Sequence, residues 1–393
     1  MIKKKIIMAI AIMSTVLTCT ACNEDTNATK DLKIGFICEK NSEFADDFNK
    51  AIEASDISKN KVIQKTDVTD DNCYDTAVEL VQQGCNLIFA SGNSFEDYIV
   101  QSAIDNPNVE FCFANGNQAS TSNIENYHNY AVAESESRYV SGVVAGEKLN
   151  DMISNGEIAN YDIKIGYVGS VSGVDNVSAY TAFYLGVKSV CPNVVMEVQY
   201  AGLENNAELE DIAARALIAN GSVLISQYSY TNGAAKVCEE NNIYFVGDKV
   251  SEVDNAPNFA LTSSTYDWSS CYTYAIDCVK EGKSIPTEWS KGYETSACGI
   301  TEINKSAFTS EQKLENVKKS VSDVEKSLAE KTLYVFDTST FSVNGKPVTT
   351  TVSDESSPEY LGVEYIKDGH FMEYELSSTP RFLFRIDGIT ELN

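Results

Sequence analysis

KIGFICEKNS at residues 33–42 returns in altered form as KIGYVGSVSG at residues 164–173. Each copy opens on Lys-Ile-Gly-aromatic within a strand-like apolar run, then passes through a polar turn into a helical stretch. A buried strand that feeds directly into a helix begins a βαβ unit, and such units build parallel sheets. Two beginnings in one chain predict two α/β domains of similar topology.

The pattern extends outward from both copies. After the first, strand-like runs recur at NLIFAS (86–91) and VEFCFAN (109–115), with helical stretches over 43–54, 73–83 and 94–105. A longer helix is expected over 134–152, ended by the polar SNGEIANYD. After the second copy, strands are expected at VVMEVQYA (194–201), VLISQY (223–228) and IYFVGD (243–248), with helices near 177–190, 207–219 and 232–241. NFALTSSTYD (258–267) reads as a return strand and 268–281 as a helix. Leu314, Val317, Val321, Val324 and Leu328 recur every three or four residues, the period of one helix face, over 311–331. Asn344-Gly345 sits where a hairpin turn is expected.

At the front, three lysines (Lys3 to Lys5) precede twelve mostly apolar residues (6–17), too few to span a bilayer and matched to a secretory leader. Small residues Thr20 and Ala21 then lead to Cys22, the expected lipid acceptor, with Cys19 where that motif usually has leucine. The blander alternative is an ordinary cleaved signal without lipid. The resulting division is a leader (1–21), a flexible tether (22–30), an N-terminal lobe (31–155, completed by about 258–282), a C-terminal lobe (156–257, completed by about 283–340) and a strand-rich extension (341–393).

The chain of 393 residues carries 30 basic and 57 acidic side chains, a net charge of −27. Loss of the leader's three lysines takes it to −30. Such a surface repels phosphate backbones, so no nucleic-acid partner is expected. Beyond Cys22 there are nine cysteines, an odd number with no zinc-like spacing, several inside apolar runs; they read as free thiols. No metal and no cofactor is implied.

Catalytic signals are poor. The two histidines, His128 in NYHNY and His370 in DGHFM, read as solvated loop residues. No GxSxG, HExxH, P-loop or GxGxxG occurs. Gly169 and Gly173 of VGSVSG put backbone N–H groups at a helix start, which is either an anion- or ligand-facing turn or a plain βα turn.

Several segments together resemble the basic membrane protein family, the purine-nucleoside-binding lipoproteins of ABC importers. They are NSEFADDFNKAI (41–52), NLIFASGNSFEDYIVQSAIDNPNVEFCFANG (86–116), AVAESESRYVSGVVAG (131–146), IKIGYVGSVSG (163–173), FYLGVKSVCPNVVMEVQYAG (183–202), ISQYSYTNGAAKVCEENNIYFVGD (225–248) and NFALTSSTYD (258–267). The resemblance covers about residues 32–340. It implies a type I periplasmic-binding-protein-like fold, with two Rossmann-like domains joined by a hinge and a nucleoside held between them for an ABC permease. No covalent chemistry is implied. Carried over by position, Phe44 would stack on the base, Asn115 and Asp248 would bond its polar groups, and Tyr180 would add an aromatic from the second domain. Core packing for Phe44 and a turn role for Asp248 remain the alternatives. As ligand residues, neither would weigh much on the stability of the empty protein. The chain departs from the family at Asn115, which stands in place of an aspartate. It departs again where Tyr228 replaces a small residue and where Tyr266 falls near a lysine; these changes reshape the pocket. A sugar ligand, or an extracytoplasmic α/β enzyme, is the competing expectation.

Overall fold

A computed structural model describes residues 32–393 except 41, 43, 353–359 and 361. The leader, the tether and Cys22 lie outside the described residues. The first lobe is built on β1 (Ile34–Cys38), β2 (Val62–Lys65), β3 (Leu87–Ser91), β4 (Glu110–Ala114) and β5 (Tyr127–Val132). Helices α1 (Phe44–Ala54), α2 (Asp70–Gln82), α3 (Glu96–Asp105) and the short α4 (Ala119–Ser122) connect these strands. The second lobe starts with α5 (Glu134–Ser154) and continues through β6 (Ile163–Gly169), α6 (Val174–Val190), β7 (Val194–Tyr200), α7 (Ala207–Ala219), β8 (Leu224–Gln227), α8 (Gly233–Asn241), β9 (Tyr244–Asp248) and β10 (Ala260–Tyr266). The chain then runs through α9 (Ser269–Lys280), β11 (Glu288–Lys291), β12 (Cys298–Ile300) and α10 (Glu311–Ala329). Last come a small hairpin of β13 (Ile366–Lys367) and β14 (His370–Phe371), α11 (Glu373–Leu376) and β15 (Ile389–Glu391).

The strands order as β11-β5-β4-β3-β1-β2 in one sheet and β12-β10-β9-β8-β6-β7-β15 in the other. The first is parallel throughout, and in the second only β12 runs antiparallel. Helices cover both faces, which is why β1 and β3 are apolar along nearly their whole length and fully buried. Both sheets reverse direction beside their first strand, between β1 and β3 and again between β6 and β8. Ligands of open α/β sheets bind at the carboxyl ends of strands around such a reversal.

Sheet pairing moves the expected lobe boundaries. The crossing falls after β5, because α5 packs on α6 and β10, not on the first sheet. On α5, Gly142 allows that approach: a Cβ there would lie 2.2 Å from the Phe183 carbonyl, and one at Gly186 would lie 2.0 Å from the Tyr139 carbonyl. β10 pairs with β9 and so completes the second lobe, whereas α9 and β11 return to the first. Among its described residues the extension is less strand-rich than expected. Asn344 and Gly345 do form a turn with positive φ, closed by Val343 and Lys346, but regular strands do not flank it. Its main strand, β15, adds an edge to the second sheet beside β7.

Both histidines are buried, contrary to expectation. His128 lies in β5 with its ring nitrogens 3.0 Å from Glu110 Oε2 and 3.0 Å from the Pro286 carbonyl. In β14, His370 stacks on Tyr334 at 3.7 Å between ring centres. The nine cysteines of the described residues are all unpaired and buried. Burial pushes the thiols up, that of Cys38 to about 11 and that of Cys73 to about 12, so they persist as unreactive apolar groups. Among the described residues no helix is long and apolar enough to cross a membrane.

Candidate functional site

A cleft of about 1280 Å³ runs between the lobes along the carboxyl ends of β1, β3, β4, β6, β8 and β9. It exceeds the several hundred Å³ of a typical small-molecule pocket, as two lobes standing apart would give. Both switch points contribute. Glu39, Lys40, Ser42 and Phe44 follow β1, Gly92 and Asn93 follow β3, Ser170, Val171 and Gly173 follow β6, and Tyr228 to Tyr230 follow β8.

Phe44 lines the first-lobe wall at the start of α1, half-buried, with its ring 4.7 Å from that of Trp268. Trp268 is held by its backbone N–H, which donates to Asp47 Oδ2 at 2.9 Å. Trp268 is itself buried and backs the Phe44 ring, which is the one of the two left partly exposed at the cleft. Asn115 lines the same wall, exposed, in the left-handed backbone region that asparagine tolerates (φ 52°).

On the second-lobe wall Asp248 ends β9 and is almost fully buried. Its carboxylate forms an ion pair with the Arg138 guanidinium and accepts from the Tyr266 hydroxyl at 3.2 Å. Arg138, also buried, donates to the Gln227 carbonyl at 3.0 Å and sits 5.1 Å from the Tyr228 ring centre and 5.9 Å from that of Tyr266. The tyrosines that depart from the family pattern thus enclose a buried ion pair. Tyr228 also lines the cleft, whereas Tyr266 reaches it only through Asp248. Tyr180 is a correction: it is fully buried in the second lobe, bonded to Glu391 Oε1 at 2.8 Å, and is absent from the cleft. A helix face turned toward the sheet carries it inward.

The turn after β6 is partly self-satisfied, since the Ser170 N–H donates to Asn176 Oδ1 at 3.0 Å. Glu134, the first residue of α5 and half-buried, faces the cleft from the crossing between lobes. Burial pushes its carboxyl up to about 7, against the pull of Lys249 and with the push of Asp248. Eight carboxylate side chains, among them Glu39, Glu134, Asp175 and Glu204, line the cleft against three cationic ones, Lys40, Lys249 and Arg381. Such a lining disfavours an anionic ligand and suits a neutral or cationic one rich in N–H and O–H donors.

Sequence reasoning missed Trp268, Glu134, Asp175 and Arg138. Trp268 carried a signal, a large aromatic directly after the return strand. Arg138 carried one too, as a basic residue at the head of the small, largely apolar run 140–146 of α5. No cluster suited to a metal occurs among the described residues.

Similarity to known proteins agrees with this architecture. The chain is 29% identical over 203 residues to the purine-binding protein of Brucella abortus, covering 52% of this chain and 54% of that one. It is 25% identical over 222 residues to the ABC transporter nucleoside-binding protein of Lactococcus lactis, covering 51% and 59%. The aligned part spans little more than half the length of either relative. In three dimensions it resembles an ABC transporter solute-binding protein of Conexibacter woesei, with a TM-score of 0.61 at 16% identity over 77% of this chain and 98% of that one, a likeness of fold. The model of the PnrA-like ABC transporter substrate-binding proteins matches residues 38–331. From the duplicated sheets to the cleft between them, the chain belongs to that family, the basic membrane proteins that serve as substrate-binding components of ABC transporters.

Proposed function

We propose that this protein captures a purine nucleoside in the interlobe cleft and presents it to an ABC permease while tethered to the outer face of the cell membrane by lipid on Cys22. The observation that carries the ligand class is the cleft lining. The half-buried Phe44 ring, backed by the buried Trp268, offers an apolar face to a base, and the surrounding carboxylates accept from amino, imino and ribose hydroxyl groups. The excess of carboxylates turns away phosphate, which favours nucleosides over nucleotides. Binding would proceed by hinge closure, the closed form being stabilised by contacts to both lobes at once. The role assigned here is binding without turnover.

Calorimetric titration of the purified protein with adenosine, guanosine and inosine tests the reading, with AMP, ribose and glucose as comparisons. Nucleosides are expected to bind and AMP to bind at least tenfold more weakly. Preference for glucose or ribose alone would replace the reading with a sugar-binding one, and nucleoside consumption during the titration would replace it with an enzyme.

Phe44→Ala is expected to weaken nucleoside binding by about 1–3 kcal/mol, the usual value of one stacked base. The half-buried ring leaves the ligand-free protein's melting temperature within a few degrees of wild type. A large fall in that temperature with affinity intact would make Phe44 a packing residue only. Cys22→Ser is expected to release the protein from membranes, since two or more acyl chains provide stable attachment. Retention of the variant in the membrane fraction after a carbonate wash would rule out the lipid tether.

A further inference from the structure

The segment matched by the family model ends at residue 331, yet the chain beyond it returns to the cleft. Residues 373–382 lie across both lobes. Ser290 Oγ of β11, in the first lobe, donates to the Tyr374 carbonyl at 2.8 Å. Glu373, almost fully buried, accepts from Ser178 Oγ on α6 of the second lobe at 2.9 Å. Its other oxygen accepts the backbone N–H groups of Arg381 and Phe382 at 3.0 and 3.1 Å. Phe382 is fully buried and stacks on Phe336 at 4.2 Å, after which the chain runs on to β15. One carboxylate thus closes the loop 373–382 and fixes its far end.

Thr379, Pro380 and Arg381 of that loop line the cleft. The half-buried Arg381 side chain is steadied by one bond, from Nε to Ser377 Oγ at 3.1 Å. Its two terminal amines make no hydrogen bond or ion pair among the described residues. Asp175 of the second-lobe wall is near enough for Arg381 to oppose the rise that burial imposes on its carboxyl. An arginine has five donors and no acceptor. In a cleft that offers mainly acceptors, Arg381 is one of three cationic side chains beside Lys40 and Lys249, and the one whose planar fork can pair two donors with a ligand oxygen or an unprotonated ring nitrogen.

We propose that Arg381 is a specificity-determining residue supplied by the C-terminal extension, which donates from its terminal amines to an acceptor of the bound ligand. The choice of probes rests on the nucleoside reading above. The acceptor is either the base (a 6-oxo group with its neighbouring N7, which match the guanidinium fork) or a ribose oxygen.

The test is calorimetric titration of the full chain, wild type beside Arg381→Ala, Arg381→Lys and Arg215→Ala, with guanosine, inosine and adenosine. Arg215 pairs with Asp211 and Glu240 on the outer surface and serves as a charge-loss control. Arg381→Ala is expected to weaken binding roughly 10- to 100-fold, the range of a lost charge-assisted hydrogen bond. Arg381→Lys should recover part of that loss and Arg215→Ala should bind as wild type. Ligand-free Arg381→Ala should melt within a few degrees of wild type, which separates contact from misfolding. A loss confined to guanosine and inosine assigns the contact to the 6-oxo edge, and an equal loss for all three assigns it to ribose; both support the proposal. Wild-type affinity of Arg381→Ala for every nucleoside that the wild type binds overturns it. If the wild type binds glucose or ribose instead, the nucleoside reading fails alone and the same comparison with that sugar decides the role of Arg381. A wild type that binds none of these probes sinks both.

Discussion

Asp248→Ala is expected to cost about 3–5 kcal/mol of folding stability, because it strands the buried Arg138 guanidinium without a counter-charge. The pair is almost completely removed from solvent, and among the described residues no other carboxylate bonds Arg138. Its remaining partners are the Gln227 carbonyl and the faces of Tyr228 and Tyr266, which orient the charge without neutralising it. Asp248→Asn keeps a hydrogen-bond acceptor and loses only the charge, so it should fall between wild type and alanine. The double variant Arg138→Met/Asp248→Leu removes both charges together and should recover much of the lost stability, since well-packed apolar residues commonly match a buried ion pair. Urea denaturation of the three ligand-free variants beside wild type measures the differences. An Asp248→Ala protein within about 1 kcal/mol of wild type would mean that water or a side-chain shift compensates Arg138, and the pair would then hold little of the cleft wall together.

The ion pair gives Asp248 a structural role beyond the ligand contact expected from sequence, and the reason it was not foreseen is physical. IYFVGD identifies Asp248 as a strand-end carboxylate, the position from which a ligand residue projects. Nothing in that segment tells that Arg138, 110 residues earlier, arrives beneath it on α5. The repeated fold was legible because parallel strands buried on both faces are written as apolar runs, as in β1, β3 and β6. Strands with polar sequences were not: β5 (YHNYAV) and the edge strand β11 (EWSK) lack that signature. In β5 the buried His128 and Asn129 are satisfied by specific partners that no local pattern encodes. The lobe boundaries were misplaced for a similar reason, since periodicity identifies α5 and β10 without telling which sheet they join. At the site, Phe44 and Asn115 were legible as residues that follow strands β1 and β4. The failure at Tyr180 came from helix phase. The role of Arg381 was hidden because it depends on a long return of the extension and not on any neighbouring motif.

Stability should fall by several kcal/mol between pH 5 and pH 8, opposite to the behaviour of a protein held by surface carboxylate ion pairs. Glu134, Glu252 and Glu373 are each pushed by burial up to about 7. Unfolded glutamate titrates near ~4.3. Between those values the folded protein binds more protons than the unfolded chain, so stability decreases as pH rises. The contribution is fully present below the unfolded value and lost as pH passes about 7. One pKa unit corresponds to ~1.4 kcal/mol, which gives roughly 2–3 kcal/mol each for Glu252 and Glu373, both almost fully buried, and less for the half-buried Glu134. Burial raises the carboxyls of Asp47 and Glu136 in the same sense. Repulsion within a chain of net charge −27 adds to the trend. Opposing groups act elsewhere on the scale. Asp151 is held below its ordinary range by Lys148 despite burial, and hydrogen bonds from Thr350 and neighbouring amides bring Glu364 down to about 2. Their contribution is lost only as pH falls through those lower values, so it is constant across pH 5 to 8. Glu373→Gln should flatten the slope by roughly a third, because glutamine can still accept from the Arg381 and Phe382 amides without carrying a charge that burial penalises. Denaturant midpoints of ligand-free wild type and Glu373→Gln at pH 5, 6, 7 and 8 measure both slopes. Equal or greater wild-type stability at pH 8 than at pH 5 would show that these carboxylates ionise freely in the folded protein. The extension's tie across the lobes would then rest on an ordinary charged glutamate and not on a buried neutral one.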